Sequence, residues 1–134
     1  MDAEIADYFA GVIQLAETTF TTFQQSIDST PKRSILRLEA TYGIYKVLVT
    51  ELFSDQNRKY RYYLLKGNYV EAGFDNSSDP RALRLKYGVI GQSHLGEYIP
   101  HLHQVDKTEL SLTDEIFFET FVRWLKETYP IGRR

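Results

Sequence analysis

All three histidines of the chain lie within ten residues of one another, at His94, His101 and His103. In an extended strand His101 and His103 point to the same face, with Cβ atoms roughly 7 Å apart, so both imidazoles reach one phosphate or one metal ion. A histidine with a pKa near neutrality transfers protons in either direction, while nearby Arg or Lys side chains hold a phosphate. We therefore predict His101 and His103 as catalytic residues for metal-independent acid–base chemistry on RNA at the 2′-hydroxyl. The alternative is an edge strand whose imidazoles face solvent or bond neighbouring carbonyls.

Two imidazoles do not complete a metal site, so a third ligand would have to come from His94, Asp106 or Asp75. The sequence contains no HExxH spacing, and without cysteine it offers neither a thiolate ligand nor a thiolate nucleophile. These observations favour a site without a metal or another cofactor, and zinc is the minor alternative.

Charge is unevenly distributed along a chain whose formal net charge is -2. Residues 1–30 contain acidic side chains and no Lys or Arg, whereas residues 58–86 contain more basic than acidic side chains. A local concentration of cations binds a phosphate backbone even when the net charge is negative. The predicted substrate-binding residues are Asp75, Asn76, Arg81, Arg84 and Lys86. The alternatives are that these cations only face solvent, that the acidic N-terminal segment screens them, and that Asp75 and Asn76 serve an Asx turn.

Length and composition predict one domain, because 134 residues with 43% hydrophobic and 25% charged side chains suffice to bury a core. The chain has no apolar run long enough to cross a membrane, and its N-terminus carries acids where a secretory signal carries bases. We therefore expect a cytoplasmic protein without a membrane partner. Neither GxxxxGK[ST] nor GxGxxG occurs, so a Walker-type nucleotide site is not predicted.

Apolar residues from Ile5 to Ile27 recur at spacings of three and four, which predicts one long amphipathic helix. Asp2 is the predicted N-cap, and Pro31 disfavours helical geometry in the residue before it. The aromatic stripe of this helix is expected to pack on a sheet of the same molecule, and a dimer interface is the alternative.

Four predicted strands follow the N-terminal segment, at residues 36–41, 44–53, 59–65 and 69–74. Their short connections require antiparallel neighbours. A C-terminal helix is predicted from Ser111, with Asp114 placed as in a capping box, and its buried stripe comprises Ile116, Phe117, Phe121, Trp124 and Leu125. The predicted class is α+β: an antiparallel meander of four or five strands with a long N-terminal helix and a C-terminal helix.

Several short motifs add a family resemblance that runs over nearly the whole chain. They are the aromatic-Asp-Asn turn at 74–76, the Pro-His-x-His motif at 100–103 and the Ser-Leu-Thr-Asp-Glu segment at 111–115. Together with the predicted order of elements, they resemble the TumE-type toxin family of toxin–antitoxin modules. Many members carry histidines directly after the Asp-Asn turn, where this chain has Ser77 and Ser78. The resemblance implies a small toxin encoded beside an antitoxin protein, and it assigns no mechanism.

Two classes of function follow from these observations. In the first, the protein is a toxin that acts on RNA, with His101 and His103 as reactive groups. In the second, it is a non-catalytic interaction domain whose sheet edge or N-terminal helix binds a small partner or a second copy of the chain, and whose histidines are structural. The sequence leaves open which class applies, and therefore whether the protein is an enzyme.

Overall fold

The computed structural model describes residues 1–55, 57–88 and 94–131 and contains one antiparallel sheet and three helices. The strands follow one another in the order of the sequence, so each pairs with its neighbours along the chain. They are β1 (Thr22–Ser29), β2 (Arg33–Tyr42), β3 (Tyr45–Ser54), β4 (Asn57–Lys66), β5 (Tyr69–Asp75), β6 (His101–Gln104) and β7 (Glu109–Leu112). The α+β class with an antiparallel meander is confirmed, but seven strands replace the predicted four or five.

The N-terminal helix α1 (Ala3–Thr19) is shorter than the predicted helix. Asp2 caps it as expected, because its carboxylate accepts hydrogen bonds from the backbone N–H groups of Glu4 and Ile5. The prediction was wrong after Thr19, where the chain turns into β1. Phe23 and Ile27 fit the helical spacing, but they also share one face of a strand, and pairing with β2 decides the outcome.

The inner face of the sheet carries the main core. Helix α1 and helix α3 (Phe118–Thr128) pack here, with buried side chains from β2 to β5. The core includes Phe9, Val12, Ala16, Leu36, Leu38, Val47, Val49, Tyr62, Leu64, Phe121 and Leu125. The acids of α1 therefore lie on the opposite side of the sheet from the cations on its outer face.

The C-terminal segment also begins differently from the prediction. Residues Glu109–Leu112 form β7, and α3 begins only at Phe118. Ser111 pairs with Leu102 of β6, so the predicted capping box is wrong, and the observed N-cap residue, Phe117, makes no side-chain capping hydrogen bond. Phe121 and Leu125 are buried as predicted, whereas Phe117 is 46% exposed.

The outer face of the sheet is covered unevenly. Helix α2 (Pro80–Tyr87) packs near β7, where Ala82, Leu83 and Ile99 form a second small core. Farther along this face, grooves of about 380 and 200 Å³ lie over the strands from β1 to β4. The outer face thus offers accessible surface beside α2. Within the described residues, no helix has the length and apolar character needed to cross a membrane.

Candidate histidine and aspartate site

Strand register brings His101 and His103 onto the outer face together with Asp75. His101 pairs with Asp75 across β5 and β6, and Asp75 pairs with Arg61 across β4 and β5. Residues directly opposite each other in an antiparallel sheet point to the same face, and His103 lies two residues beyond His101. The predicted same-face arrangement of the histidine pair is therefore present. We call Asp75, His101 and His103 the triad.

The two imidazoles contact each other within the triad. Their Nε2 atoms are 3.1 Å apart, and His101 Nδ1 lies 2.7 Å from the carbonyl oxygen of Ile99. Because a carbonyl only accepts, His101 carries its proton on Nδ1, and in the neutral pair His103 Nε2–H donates to His101 Nε2. His103 Nδ1 is then an acceptor, and Arg81 Nη2 lies 3.5 Å from it. Both histidines are buried, so neither ring faces solvent as an ordinary edge-strand histidine would.

Asp75 supplies a buried carboxylate to the triad. Its Oδ1 accepts a 2.6 Å hydrogen bond from the Ser77 backbone N–H, so the Asx turn considered from the sequence is present. Within the part of the chain that the structure describes, its Oδ2 has only long contacts, at 3.4 Å to the Tyr63 hydroxyl and 3.5 Å to Arg61 Nε. Burial alone would raise the pKa of Asp75, but the Ser77 hydrogen bonds and the charge of Arg61 outweigh it and lower the pKa. Asp75 is therefore a buried anion whose Oδ2 is weakly satisfied.

The geometry argues against two separate proton carriers. Cleavage at a 2′-hydroxyl needs a base and an acid on opposite sides of the phosphorus atom, and the Nε2 atoms of His101 and His103 instead contact each other. Burial, followed by the electrostatic effects of His101, Lys107 and Arg81, also lowers the pKa of His103 to about 4. His103 is therefore unprotonated at neutral pH and does not serve as the acid.

The triad also has the composition of a metal site. One ligand atom from each residue lies within 4.8 Å of the others. The two other residues that the sequence offered as a third ligand, Asp106 and His94, make contacts elsewhere. Asp106 Oδ1 accepts the backbone N–H of Val70, and His94 Nδ1 lies 3.2 Å from Glu97 Oε1. Among the described residues, Asp75 is thus the ligand that completes a set with His101 and His103.

The predicted substrate-binding residues separate into two groups. Arg81 lies at the triad, where its guanidinium also pairs with Asp79 and donates to the Lys107 carbonyl. Among the described contacts, neither Arg84 nor Lys86 reaches the histidines: Arg84 is exposed on α2, and Lys86 pairs with Glu97.

Asn76 has a backbone role at the end of β4. Its Oδ1 accepts the Tyr60 backbone N–H, and its Nδ2 donates to the Arg58 carbonyl, both at 2.9 Å. Both polar groups of the side chain are bonded to backbone of β4, so the role of Asn76 is structural, although it is not the Asx turn considered from the sequence.

Sequence reasoning missed Arg61 and Tyr63, which lie beside the triad. A β-bulge between Leu64 and Leu65 sets their register against β5. Without this bulge, regular pairing from the Lys66–Tyr69 turn would place Arg61 opposite Phe74 instead of Asp75. Alternation within β4 indicates which residues share a face, but the position of the bulge has no clear signal in the sequence.

Arg58, counted among the cations of residues 58–86, lies on the inner face. Its side chain is 8% exposed and pairs with the buried carboxylate of Glu51, which also accepts hydrogen bonds from Tyr8 and Tyr62. Its guanidinium stacks 4.0 Å from the ring centroid of Phe117. The basic segment is therefore divided between the two faces of the sheet.

Comparisons with protein-family models, with curated proteins and with solved structures found no match to this chain.

Proposed function

We propose that this protein is the toxin component of a toxin–antitoxin module and that it acts on RNA. The toxin assignment rests on the sequence resemblance described above. The choice of RNA rests on one structural observation: four cationic side chains line a single groove of about 200 Å³ on the outer face. They are Arg33, Arg37, Lys59 and Arg61.

The groove leads toward the triad. Arg61 belongs to both, because it lines the groove and its Nε lies 3.5 Å from Asp75 Oδ2. Arg37, Thr50 and Arg61 stand opposite one another on neighbouring strands, so the row continues through Asp75 to His101. Phosphates of a single strand, spaced along such a row, would neutralise the cations and release counterions. In this proposal the groove binds the backbone and the triad is the reactive centre.

The binding step is tested with the double variant Arg37→Gln plus Lys59→Gln, which leaves Arg61 and the triad intact. A matched control, Arg123→Gln plus Lys126→Gln, removes the same charge from exposed positions of α3 on the other side of the sheet. Affinity for single-stranded RNA should fall in the groove variant, and the slope of log K against log salt should decrease by about 1.4, or about 0.7 for each lost phosphate contact. Equal losses in both variants would refute the groove.

The toxic activity is tested by expressing the chain without a partner and following growth and RNA integrity. We expect growth to stop and RNA to be degraded, and the variant His101→Ala plus His103→Ala to be harmless. The variant His94→Ala, which changes the histidine outside the triad, should remain toxic. Normal growth with intact RNA, or full toxicity of the double variant, would refute the proposal.

The second class of function, an interaction domain, is favoured by strand β1. It forms an end of the described sheet, spans eight residues and is exposed at seven of them. Its only charged residue is Asp28, and it has neither the Lys nor the Pro that usually protect an edge strand. As the alternative, we propose that β1 pairs with β1 of a second copy.

The alternative predicts a dimer in light scattering after size-exclusion chromatography. Ser26→Lys should separate the dimer, because it would place like charges near each other at the middle of the paired strands. Thr18→Lys adds the same charge to an exposed position of α1 and should leave the dimer intact. A wild-type chain that elutes as a monomer at all concentrations would exclude this pairing.

A further inference from the structure

We infer that Asp75, His101 and His103 bind one divalent transition-metal ion of the zinc and cobalt class, through Nε2 of each imidazole and a carboxylate oxygen. The inference deepens the proposed function by naming a cofactor for the same centre. The role of the ion in a reaction rests on the proposed function. Metal binding itself does not, because it is measured without RNA.

The donor set is the first support for this inference. Two imidazoles and one carboxylate suit borderline cations such as Zn²⁺, Co²⁺ and Fe²⁺, whereas Mg²⁺ and Ca²⁺ prefer oxygen ligands only. The ligand atoms lie within 4.8 Å of one another and all three residues are buried. Strand register therefore brings the three side chains close enough to bind one ion after small side-chain movements.

The separation of the imidazoles fits a shared ion. With metal–nitrogen bonds of about 2.05 Å, two ligand nitrogens lie about 2.9 Å apart at a right angle and about 3.4 Å apart in a tetrahedron. The observed separation of His101 Nε2 and His103 Nε2 is 3.1 Å, between these two values. Neither ring needs to move far to bind one ion.

Partners outside the triad already orient two of its members. His101 Nδ1–H donates to the Ile99 carbonyl at 2.7 Å, so the lone pair of the ring lies on Nε2, where a metal would replace the hydrogen bond from His103. The Ser77 backbone N–H fixes Asp75 Oδ1 at 2.6 Å and leaves Oδ2 with contacts of 3.4 Å or more. Metal-binding histidines and carboxylates are commonly held in this way by backbone groups.

Charge balance gives an independent reason. The Asp75 carboxyl group is buried beside two imidazoles, and the guanidinium of Arg61, which is half exposed, lies 3.5 Å from its Oδ2. A buried carboxylate with such weak compensation is costly. A divalent cation bound by the triad would compensate the carboxylate and replace the hydrogen bond between the two Nε2 atoms, with the ring proton of His103 moving to Nδ1.

In the present arrangement, Arg81 disfavours metal binding by His103. When His103 Nε2 binds a metal, the ring proton must lie on Nδ1, which faces Arg81 Nη2 at 3.5 Å. Two donors then oppose each other, so Arg81 has to turn fully toward Asp79, with which it already pairs. Replacing Arg81 by a neutral residue should therefore strengthen metal binding, because it removes both this conflict and a nearby positive charge.

The test is titration of the untagged, chelator-treated full chain with Zn²⁺ by calorimetry and with Co²⁺ by visible absorption. We expect one ion per chain and a Co²⁺ spectrum of nitrogen and oxygen ligation. Asp75→Asn and His103→Asn should each weaken binding at least tenfold, whereas His94→Asn should bind as the wild type does. Circular dichroism establishes that each variant is folded.

Arg81→Gln keeps all three ligands and provides a measurement that does not depend on the folding of the ligand variants. Its affinity for Zn²⁺ should rise several-fold. The inference is overturned if the folded wild type binds neither ion, if the ligand variants bind as tightly as the wild type, or if Arg81→Gln does not bind more tightly. Because RNA is absent, such a result leaves the groove and the toxic activity to be judged by their own experiments.

Discussion

Replacement of Arg58 by Met tests how strongly the buried Arg58–Glu51 ion pair on the inner face of the sheet determines stability. Arg58 Nη2 lies 3.0 Å from Glu51 Oε1, and the Arg58 and Glu51 side chains are 8% and 0% exposed. Removing the cation leaves a buried carboxylate that retains only the hydroxyls of Tyr8 and Tyr62 as donors. Breaking a buried ion pair by removing one partner costs about 3 to 5 kcal/mol of unfolding free energy. Since small domains have about 5 to 15 kcal/mol in all, Arg58→Met should be strongly destabilised at pH 7.

A double variant separates the uncompensated charge from the lost packing. Arg58→Met plus Glu51→Gln removes both charges but keeps a side chain that can bond the two tyrosines. It should recover on the order of 2 kcal/mol relative to Arg58→Met alone, because the unpaired buried charge is gone. The assay is urea denaturation followed by circular dichroism, with a common m-value establishing that the variants unfold in the same way.

The pH dependence of Arg58→Met has a definite sign. Burial already raises the pKa of Glu51 although Arg58 opposes it, and loss of Arg58 raises this pKa further. A carboxyl whose pKa is higher in the folded state stabilises the fold at low pH, and this contribution is lost as pH rises above the unfolded-state value. Arg58→Met should therefore be more stable at pH 5 than at pH 7. A loss below about 1 kcal/mol at pH 7, or a double variant no more stable than Arg58→Met, would refute the buried-charge argument.

Substitutions at two further positions, Asn76 and Gly73, test the packing around the triad, and Gly11 in α1 provides a control. Asn76→Ala leaves the Tyr60 N–H and the Arg58 carbonyl without their side-chain partner and should cost about 3 kcal/mol in urea denaturation. Gly73→Ala places a Cβ 2.7 Å from the Tyr63 ring and should lower the unfolding free energy by about 1 to 3 kcal/mol. Gly11→Ala in α1 adds a Cβ with no described atom within 4 Å and should raise the unfolding free energy by about 0.5 to 1 kcal/mol. Equal effects of Gly73→Ala and Gly11→Ala in thermal denaturation would contradict this account.

The meander and the histidine pair were predictable because their signals are local. Alternation along β2 and short connections such as Gly43 between β2 and β3 identify antiparallel strands, and a spacing of two places His101 and His103 on one face. The Asp75 turn also has a local signal, since Asp and Asn bond the backbone two residues onward.

The ends of the fold depended on pairing between segments. Phe20, Phe23 and Ile27 satisfy helical spacing, so periodicity does not distinguish a longer α1 from the observed β1. Segment 109–112 is similarly ambiguous, because its strand conformation depends on β6. The third triad member was one of three candidates, and choosing Asp75 required the register between β5 and β6.

Pairing between β5 and β6 sets the positions of the triad residues, whereas α2 provides side chains that lie beside them. Asp75 and His101 are held opposite each other by the sheet, and α2 with Arg81 lies between β5 and β6 in the sequence. Substitutions on α2 would alter what lies beside the triad, while the Ser77 N–H and the Ile99 carbonyl would still orient Asp75 and His101. The backbone groups that orient the triad and the side chains that surround it can therefore be changed separately by mutation.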